Sequence, residues 1–224
     1  MNKIVLFLSL CLTLTGYTQT DAKIGLVKYA GGGDWYSNPT SLPNLISYTN
    51  QNTPLKIHPD PETVEVLSGQ LFNYPFIHIT GHGNVVFSRS EKENLKDYLL
   101  QGGFLHVDDN YGMDKFIRPI LENLFEDYPL QQLSADHPLF SCFFKLDGLP
   151  KTHEHDNLAP EAYGIFDSNG RMMVFYSYES DLGDGWEKEG VHNDPVEIRE
   201  AALKMGANLL MYVYVYGGYP PAAE

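Results

Sequence analysis

The chain of 224 residues has little cysteine and few cationic side chains. Its two cysteines are Cys11, in the apolar N-terminal segment, and Cys142. Removal of that segment would leave Cys142 alone, which excludes an internal disulfide. We expect Cys142 to be a small buried hydrophobic side chain rather than a nucleophile. Fifteen Lys and Arg against 29 Asp and Glu give a net charge of −14. This charge repels a phosphate backbone and argues against a nucleic-acid partner.

Motifs of several common chemistries are also missing. The sequence has no Gly-x-Ser-x-Gly elbow, no phosphate loop with Gly-Lys-Ser/Thr and no Gly-x-Gly-x-x-Gly dinucleotide motif. The run Gly31–Gly33 resembles a nucleotide loop weakly, but no Lys or Arg follows it to hold phosphate. We therefore discount nucleotides as ligands.

The apolar run at the N-terminus is too short to span a membrane. Ile4–Leu14 follows Lys3 and precedes the small residues of Gly16–Thr18, which is typical of a secretory signal peptide. About 11 apolar residues cannot cross a hydrocarbon core of about 30 Å. We expect cleavage near Thr18, a periplasmic or secreted protein, and membrane contact that is peripheral at most. The predicted organisation is a signal peptide over residues 1–18 and one domain over residues 19–224.

Short apolar strands alternate with helical segments along the chain. This alternation predicts an α/β fold with a mostly parallel sheet and helices on both faces. The central strands are predicted at Ile24–Tyr29, Phe76–Thr80 and Phe104–Val107, with weaker strands at Leu55–Ile57 and Val64–Val66. The helices are predicted at Leu42–Thr49, from a Ser90–Glu93 capping box to Leu100, at Met113–Phe125 and at Val196–Tyr214. A hairpin is predicted around Asp167–Gly170.

Polar clusters rich in aromatic residues follow four of the predicted strands. They are Gly31–Tyr36, Gly81–Asn84, Asp108–Tyr111 and Ser180–Trp186. In an open α/β sheet, loops beyond the carboxyl ends of the strands meet at one crevice, where ligands bind. Two Trp rings near carboxylates suit sugar binding, or they pack as a lid over the crevice. The candidate ligand-binding residues are Asp34, Trp35, Tyr36, Asn84, Asp184 and Trp186.

Three residues at two strand ends are candidates for catalysis. His82 lies between two glycines, which let the backbone turn sharply and approach a ligand; alternatively, its ring caps backbone groups. Asp108 and Asp109 end the adjacent strand and face opposite sides of it. At most one of them points into the crevice, and the other is expected to cap the following helix. Paired carboxylates bind a metal or act as a general base.

The segment His153–Asp156 is rich in metal-ligand types. A His-x-His sequence in an extended segment puts both imidazoles on one side, as some metal sites require. The spacing differs from the helical His-Glu-x-x-His signature. Two interpretations stay open: His153 and His155 hold a divalent metal, or they bond to carbonyls and carboxylates in a polar loop. His192 is a further candidate, and the sequence indicates no other cofactor.

The motifs in combination resemble a bacterial family called domain of unknown function 4159, from Lys23 to Tyr216. The segments that carry the resemblance are Gly31–Pro39, Thr80–Gly83, Gly103–Asp109, His153–Asp156 and Ser177–Trp186. The resemblance implies a flavodoxin-like three-layer α/β sandwich, similar to class I glutamine amidotransferases and ThuA-like proteins. It implies no activity. Family relatives often carry the domain in membrane-associated proteins, which by analogy suggests an envelope complex.

One departure from the amidotransferases is informative. Their nucleophilic Cys follows the strand equivalent to Phe104–Val107, where this chain has Asp108–Asn110. Without a thiolate no thioester forms, so glutaminase chemistry is excluded.

Two hypotheses of different kinds follow. The first is an exported binding domain on an amidotransferase-like scaffold, with a small molecule, glycan, peptide or envelope protein as partner. The second is a hydrolase for a carbohydrate or peptide that uses His82 with Asp108 or Asp109, with or without a metal at His153 and His155. Stoichiometric metal, and a loss of thermal stability on its removal, would distinguish the second from the first.

Overall fold

The computed structural model describes residues 22–221 as one mixed sheet flanked by helices. The predicted signal peptide lies outside the described residues. The strands are β1 (Ile24–Lys28), β2 (Glu62–Glu65), β3 (Phe76–Gly81), β4 (Phe104–Asp109), β5 (Gln131–Gln132), β6 (Glu161–Phe166) and β7 (Met172–Tyr178). The helices are α1 (Ser41–Asn52), α2 (Arg89–Leu100), α3 (Asp114–Glu122), α4 (Leu182–Trp186) and α5 (Val196–Tyr214).

Parallel pairing dominates the seven-stranded sheet, whose order is β2-β1-β3-β4-β7-β6-β5. The first five strands in this order pair with one another in parallel. At the other edge, β6 pairs antiparallel with β7, and β5 pairs antiparallel with β6. The central strands β3 and β4 are buried along their whole length, as expected of a parallel sheet covered on both faces. The α/β architecture and the mostly parallel sheet are therefore confirmed.

The two faces of the sheet carry separate apolar cores. Phe76, Phe104 and Phe175 pack with residues of α1, α4 and α5 on one face. Ile77 and Leu105 belong to the other core, with residues of α2 and α3. Because successive strand residues point to opposite faces, one short apolar run supplies both cores. The carboxyl ends of the central strands are left at one edge of the sheet, where the loops meet.

Helix α2 begins earlier than the sequence analysis expected. Its N-cap is Ser88, whose hydroxyl accepts from the Glu91 N–H at 3.2 Å, and the Glu91 carboxylate accepts from the Ser88 N–H at 2.7 Å. The predicted box of Ser90 and Glu93 was therefore wrong. Two Ser-x-x-Glu motifs overlap here, offset by two residues, so their spacing alone could not decide between them.

The weak strand predicted at Leu55–Ile57 is reduced to an isolated bridge between Ala22 and Ile57. The side chain of Asn50 donates to the Ile57 carbonyl oxygen and accepts from its N–H, each at 2.8 Å. These two bonds satisfy both backbone groups of Ile57. The segment therefore does not need a longer run of hydrogen bonds to a neighbouring strand.

The C-terminal helix lies where it was expected, whereas Cys142 is partly buried rather than buried. Helix α5 docks on the sheet, and no helix within residues 22–221 is long and apolar enough to cross a membrane. Cys142 packs against the core, and its Sγ lies 3.4 Å from the Asn208 carbonyl oxygen. Burial raises the pKa of its thiol to about 12, which disfavours the nucleophilic thiolate.

Candidate metal centre at the carboxyl edge of the sheet

Residues from the ends of four strands meet at the carboxyl edge. Asn38, after β1, donates to Asp184 Oδ1 at 2.6 Å, and Asn110, after β4, donates to the same oxygen at 3.1 Å. Asn110 also donates to Asn38 Oδ1 at 2.8 Å, and Thr80 at the end of β3 donates to Asn110 Oδ1 at 3.4 Å. The loops therefore converge as the sequence predicted. The contacts are made largely by amide side chains that the sequence analysis had not selected.

The turn after β7 has an unusual backbone. Glu179 and Asp181 both have φ of 55°, in the left-handed region that costs a non-glycine residue roughly 1–2 kcal/mol. Two hydrogen bonds join this turn to the loop before β6: the Thr152 N–H donates to the Ser180 carbonyl oxygen, and the Ser180 hydroxyl donates to Pro150. Backbone strain of this kind clusters at functional sites. Here it brings Asp181 against the segment that contains both histidines.

Two histidines and two aspartates surround one point. His155 Nε2 lies 2.5 Å from Asp181 Oδ2, while His153 Nδ1 lies 3.7 Å from that oxygen and 2.9 Å from Asp184 Oδ2. Zinc bonds of about 2.0–2.2 Å place tetrahedral ligand atoms roughly 3.3–3.6 Å apart. Small side-chain rotations would let these atoms surround an ion. His192 Nε2, at 3.9 Å from Asp184 Oδ1, offers an alternative third ligand with His153 and Asp184.

Asp194 fixes the orientation of His153. Its Oδ1 lies 3.0 Å from His153 Nε2, so Nε2 donates to the carboxylate and Nδ1 is left to face the centre. Imidazoles that bind metals nearly always donate their second N–H to such a partner. Asp181 Oδ1 is buried and has no hydrogen-bond partner within the described chain. The two histidines face Oδ2 of the same carboxylate, and two imidazoles with an acidic oxygen are a donor set that fits a metal ion.

Electrostatics favour positive charge between the two aspartates. Burial, followed by repulsion from Asp184, raises the pKa of Asp181 to about 7. The hydrogen bond to Asp184 raises the pKa of His153 to about 9. Burial acts to raise the pKa of Asp184, but the hydrogen bond from His153 and attraction to His192 outweigh it and hold that pKa below its usual value. Protons or a metal cation can supply the charge that these carboxylates need.

A cleft of about 310 Å³ opens beside His155. Tyr111 stacks on the imidazole, with ring centroids 4.4 Å apart, and donates from its hydroxyl to Asp156 at 3.1 Å. Such walls suit a polar ligand that also offers an apolar face. The residues that line the cleft are Asp109, Tyr111, Gly112, Asp114, Lys115, Asp156, Tyr178 and Glu179.

Asp34 and His82 form a separate pair at the glycine-rich loop. The Asp34 carboxylate accepts from the His82 N–H at 2.5 Å and lies 3.1 Å from His82 Nδ1. The Asn84 carbonyl oxygen accepts from the Gly33 N–H at 3.0 Å. These bonds hold the loops after β1 and β3 together. Neither Asp34 nor His82 lines the cleft beside His155.

The aromatic candidates of this loop lie at the surface. Tyr36 is 64% exposed and packs edge to face on the partly buried Trp35, with ring centroids 5.4 Å apart. A binding role for Trp35, Tyr36 and Asn84 stays a prediction.

Both aspartates at the end of β4 bind backbone N–H groups. Asp108 is fully buried and accepts from Leu182 N and Gly183 N of α4. Asp109 accepts from Met113 N at 2.8 Å and Asp114 N at 3.1 Å, at the start of α3. The sequence predicts that one of the two caps a helix, whereas in the structure both bind N–H groups at the start of a helix. Asp109 also lines the cleft, whereas Asp108 does not. Catalytic roles for His82, Asp108 and Asp109 stay predictions.

Trp186 requires a correction. Its ring was expected at the crevice, but it is fully buried, and its Nε1 donates to the Ala202 carbonyl oxygen at 2.8 Å. The indole packs against His78 and His106, each with a centroid separation of 5.5 Å. The cause is α4, because the polar cluster Ser180–Trp186 ends in a short helix that directs Trp186 into the core.

The molecule is thus an α/β protein with a His/Asp cluster at the carboxyl edge of its parallel strands. A family model for the domain of unknown function DUF4159 matches residues 23–214, and the chain belongs to this family. A search of curated proteins found no match to the chain. The family resemblance inferred from the motifs is confirmed. The likeness to amidotransferases stays an expectation.

Proposed function

We propose that the protein is a hydrolase that depends on a divalent metal bound by His153, His155 and Asp181. One observation carries the proposal. These residues offer three ligand atoms that all lie within 4.8 Å of one another. Imidazole nitrogen and carboxylate oxygen together suit zinc and related first-row metals. Asp194 supplies the outer carboxylate that such a site requires behind His153.

Three protein ligands leave a coordination position open for water. An ion held by His153, His155 and Asp181 would supply the activation of water that hydrolysis near neutral pH needs. Asp184 directs Oδ2 to the same centre while Asn38 and Asn110 hold Oδ1. In this proposal Asp184 orients the attacking water by a hydrogen bond. Asp184 and His192 would be the alternative ligands beside His153.

The cleft beside His155 is the proposed substrate site. Its tyrosine rings and carboxylates favour a carbohydrate or a peptide, because both classes combine apolar faces with hydrogen-bonding groups. Asp156 and Glu179 would accept hydrogen bonds from such a substrate. Tyr111, which lines the cleft, stacks on His155, so one ring separates the proposed substrate site from a proposed metal ligand.

A second candidate function is ligand binding without chemistry. The surface formed by Trp35, Tyr36 and the Asp34–His82 pair supports it, because an exposed ring beside polar groups suits a glycan or an envelope protein. An amidotransferase-like scaffold and export from the cytoplasm belong to both proposals. Lys3 and the apolar run Ile4–Leu14 support export, and mass spectrometry of secreted material would then find a new N-terminus close to Gln19.

Calorimetric titration with zinc tests the metal. We expect one ion per wild-type chain, and at least a tenfold loss of affinity in His153→Ala, because the variant loses one of three ligands. His58→Ala is the matched control, since His58 is exposed and its ring bonds to the backbone of Asp60. Equal zinc affinity in His153→Ala and the wild type would rule out this centre.

Turnover is tested with nitrophenyl glycosides, nitrophenyl esters and a quenched-peptide library. We expect hydrolysis of at least one class by the zinc-loaded wild type, and its loss in His153→Ala and after chelation. Zinc binding without hydrolysis of any class would favour the binding function instead.

A further inference from the structure

A chain of buried polar side chains crosses the centre of the sheet beneath the candidate metal centre. His78 Nδ1 on β3 lies 3.1 Å from His106 Nδ1 on β4, and His106 Nε2 lies 3.1 Å from Ser177 Oγ on β7. Ser177 Oγ in turn lies 2.6 Å from Asp108 Oδ1. All four side chains are fully buried. Buried polar networks are costly unless their members are satisfied, so the proton positions decide what this one does.

The proton positions follow from the partners. Burial lowers the pKa of His78 to about 3 and that of His106 well below its usual value, so each imidazole is neutral and has one N–H. Burial raises the pKa of Asp108 to about 7; above that pH it is a carboxylate, which also accepts from Leu182 N at 3.2 Å and Gly183 N at 2.6 Å. Ser177 therefore donates to Asp108, a shorter contact than the 3.2 Å to the Val107 carbonyl oxygen.

Once the Ser177 proton is assigned, the directions of the other hydrogen bonds among these buried side chains are determined. Ser177 Oγ must accept from His106 Nε2–H, which leaves His106 Nδ1 as the acceptor for His78 Nδ1–H. His78 Nε2 is then an acceptor, and it is the ring nitrogen that has no partner in the described chain. Every donor has an acceptor, and all donors point toward Asp108.

Asp108 connects this series of buried side chains to the proposed metal ligands. The two N–H groups that it binds belong to Leu182 and Gly183, which lie between Asp181 and Asp184 in the sequence. A Cβ atom on Gly183 would lie 2.9 Å from Asp108 Oδ2 and 2.7 Å from Asn38 Nδ2, so the fit is close. Trp186 at the other end of α4 covers both imidazoles. Helix α4 is therefore fixed at its two ends by the same group of buried residues.

We propose that His106, Ser177 and Asp108 are positioning residues that hold the first turn of α4, and with it Asp181 and Asp184, in the geometry that binds the metal. This inference rests on the proposed function. Carboxylates and hydroxyls that orient ligands from behind typically change metal affinity by about 10–100-fold when they are removed. None of the three residues touches the ion or the substrate.

The same residues do not form a nucleophilic triad, although Ser, His and Asp are in contact. Ser177 donates to the carboxylate rather than to the imidazole, whereas a nucleophilic serine gives its proton to the histidine. Ser177 and His106 are also fully buried, so no substrate carbonyl reaches Oγ. The hydrogen bonds of Ser177, His106 and Asp108 therefore orient the start of α4 from within the core.

The test is a graded series at Ser177 in the full chain, with zinc affinity measured by calorimetry and metal-free stability by urea denaturation. Ser177→Ala should weaken zinc binding by about 10–100-fold. Ser177→Cys, which keeps a weak donor of similar size, should fall between alanine and serine. Asp108→Asn should weaken binding at least as much, because its amide cannot accept at both positions; if this variant does not fold, the Ser177 series decides.

Tyr98→Phe is the matched control. It removes a buried hydroxyl that donates to the Tyr74 carbonyl oxygen at 2.6 Å, away from α4. We expect it to lower metal-free stability and leave zinc affinity unchanged. Zinc affinity that is equal in Ser177→Ala and a zinc-binding wild type, or that falls equally in Tyr98→Phe, overturns the positioning role alone. A wild-type chain that binds no zinc overturns the proposed function and this inference with it.

Discussion

Asp181 combines three features that are unfavourable for stability. Its φ is left-handed, its carboxylate is buried, and Oδ1 has no partner in the described chain. A residue selected for folding alone would avoid all three. A metal ligand tolerates the left-handed φ and the burial, because an ion bound at Oδ2 supplies the missing charge.

Asp181→Asn should therefore separate stability from binding. Asn tolerates the left-handed region and carries no charge to be repelled by Asp184. We expect the metal-free variant to be more stable than the wild type by roughly 1 kcal/mol at pH 8, and to bind zinc at least tenfold more weakly. Urea denaturation with chelator and calorimetric titration measure the two effects. Asp136→Asn, in an exposed loop, should change neither quantity. A less stable variant with unchanged zinc affinity would refute the assignment.

The sequence predicted the ligands that are close to each other along the chain. His153 and His155 were found because a His-x-His spacing is local. Asp181 and Asp194 contact them across 26 and 41 residues, and no spacing rule covers such distances. The His78–His106 contact was equally hidden, since each residue lies within an apolar strand and resembles core in the sequence.

At the level of elements, α2 provides a direct test of its own boundary. Ser88→Ala should cost about 1 kcal/mol in the free energy of unfolding, because it removes the hydroxyl that accepts from Glu91 N. Ser90→Ala, two residues further on, should cost much less. Urea denaturation of both variants measures the difference, and zinc affinity should be unchanged in each. A larger loss for Ser90→Ala would place the cap where the sequence analysis had put it.

Helix α4 has no room for a side chain at Gly183. Gly183→Ala should destabilise the chain by about 1–3 kcal/mol and weaken zinc binding at least tenfold, because the added methyl must displace Asn38 or Asp108. Gly69→Ala is the control, since nothing lies within 4 Å of a Cβ atom there. Thermal denaturation and calorimetry measure both effects. Unchanged zinc affinity in Gly183→Ala would show that the geometry of α4 does not matter to the centre.

Long apolar elements could be predicted from the sequence and short ones could not. The predicted strand at Phe76 ended one residue before β3 does, and the strand at Phe104 two residues before β4 does. Buried parallel strands are continuous apolar runs bounded by glycine, which makes them visible. Strand β5 has two exposed glutamines, and α4 has two glycines in five residues. Neither pattern indicates its element, so Trp186 was placed at the crevice instead of in the core.

For the whole molecule, the titrating groups give stability a defined pH dependence. Burial raises the pKa of Asp181 to about 7, so its contribution to stability falls as pH rises from about 4 to about 7. The hydrogen bond to Asp184 raises the pKa of His153 to about 9, so its contribution is complete below about 6.5 and is lost as pH rises through about 9. Below about pH 6.5 the buried neutral His78 and His106 oppose the Asp181 effect, because their lowered pKa values make stability rise with pH there. Above about pH 7 the His153 effect lowers the stability of the metal-free chain as pH increases.

Zinc should reverse this trend. Its ligands bind in their deprotonated forms, so the stabilisation by zinc grows with pH. Thermal denaturation between pH 7 and 9, with chelator and with zinc, measures both curves. We expect the midpoint with chelator to fall with pH and the gap between the curves to widen. A gap that is constant over this range would mean that zinc does not compete with protons at His153 and Asp181.

The central claim is that the carboxyl edge of the sheet holds a metal at His153, His155 and Asp181. Anomalous diffraction at the zinc edge, from crystals of the wild-type chain soaked in zinc, tests it most directly. We predict a peak about 2.0–2.2 Å from His153 Nδ1, His155 Nε2 and an oxygen of Asp181. The absence of a peak there, or zinc bound only at the Asp34–His82 pair or at other surface sites, would contradict the account.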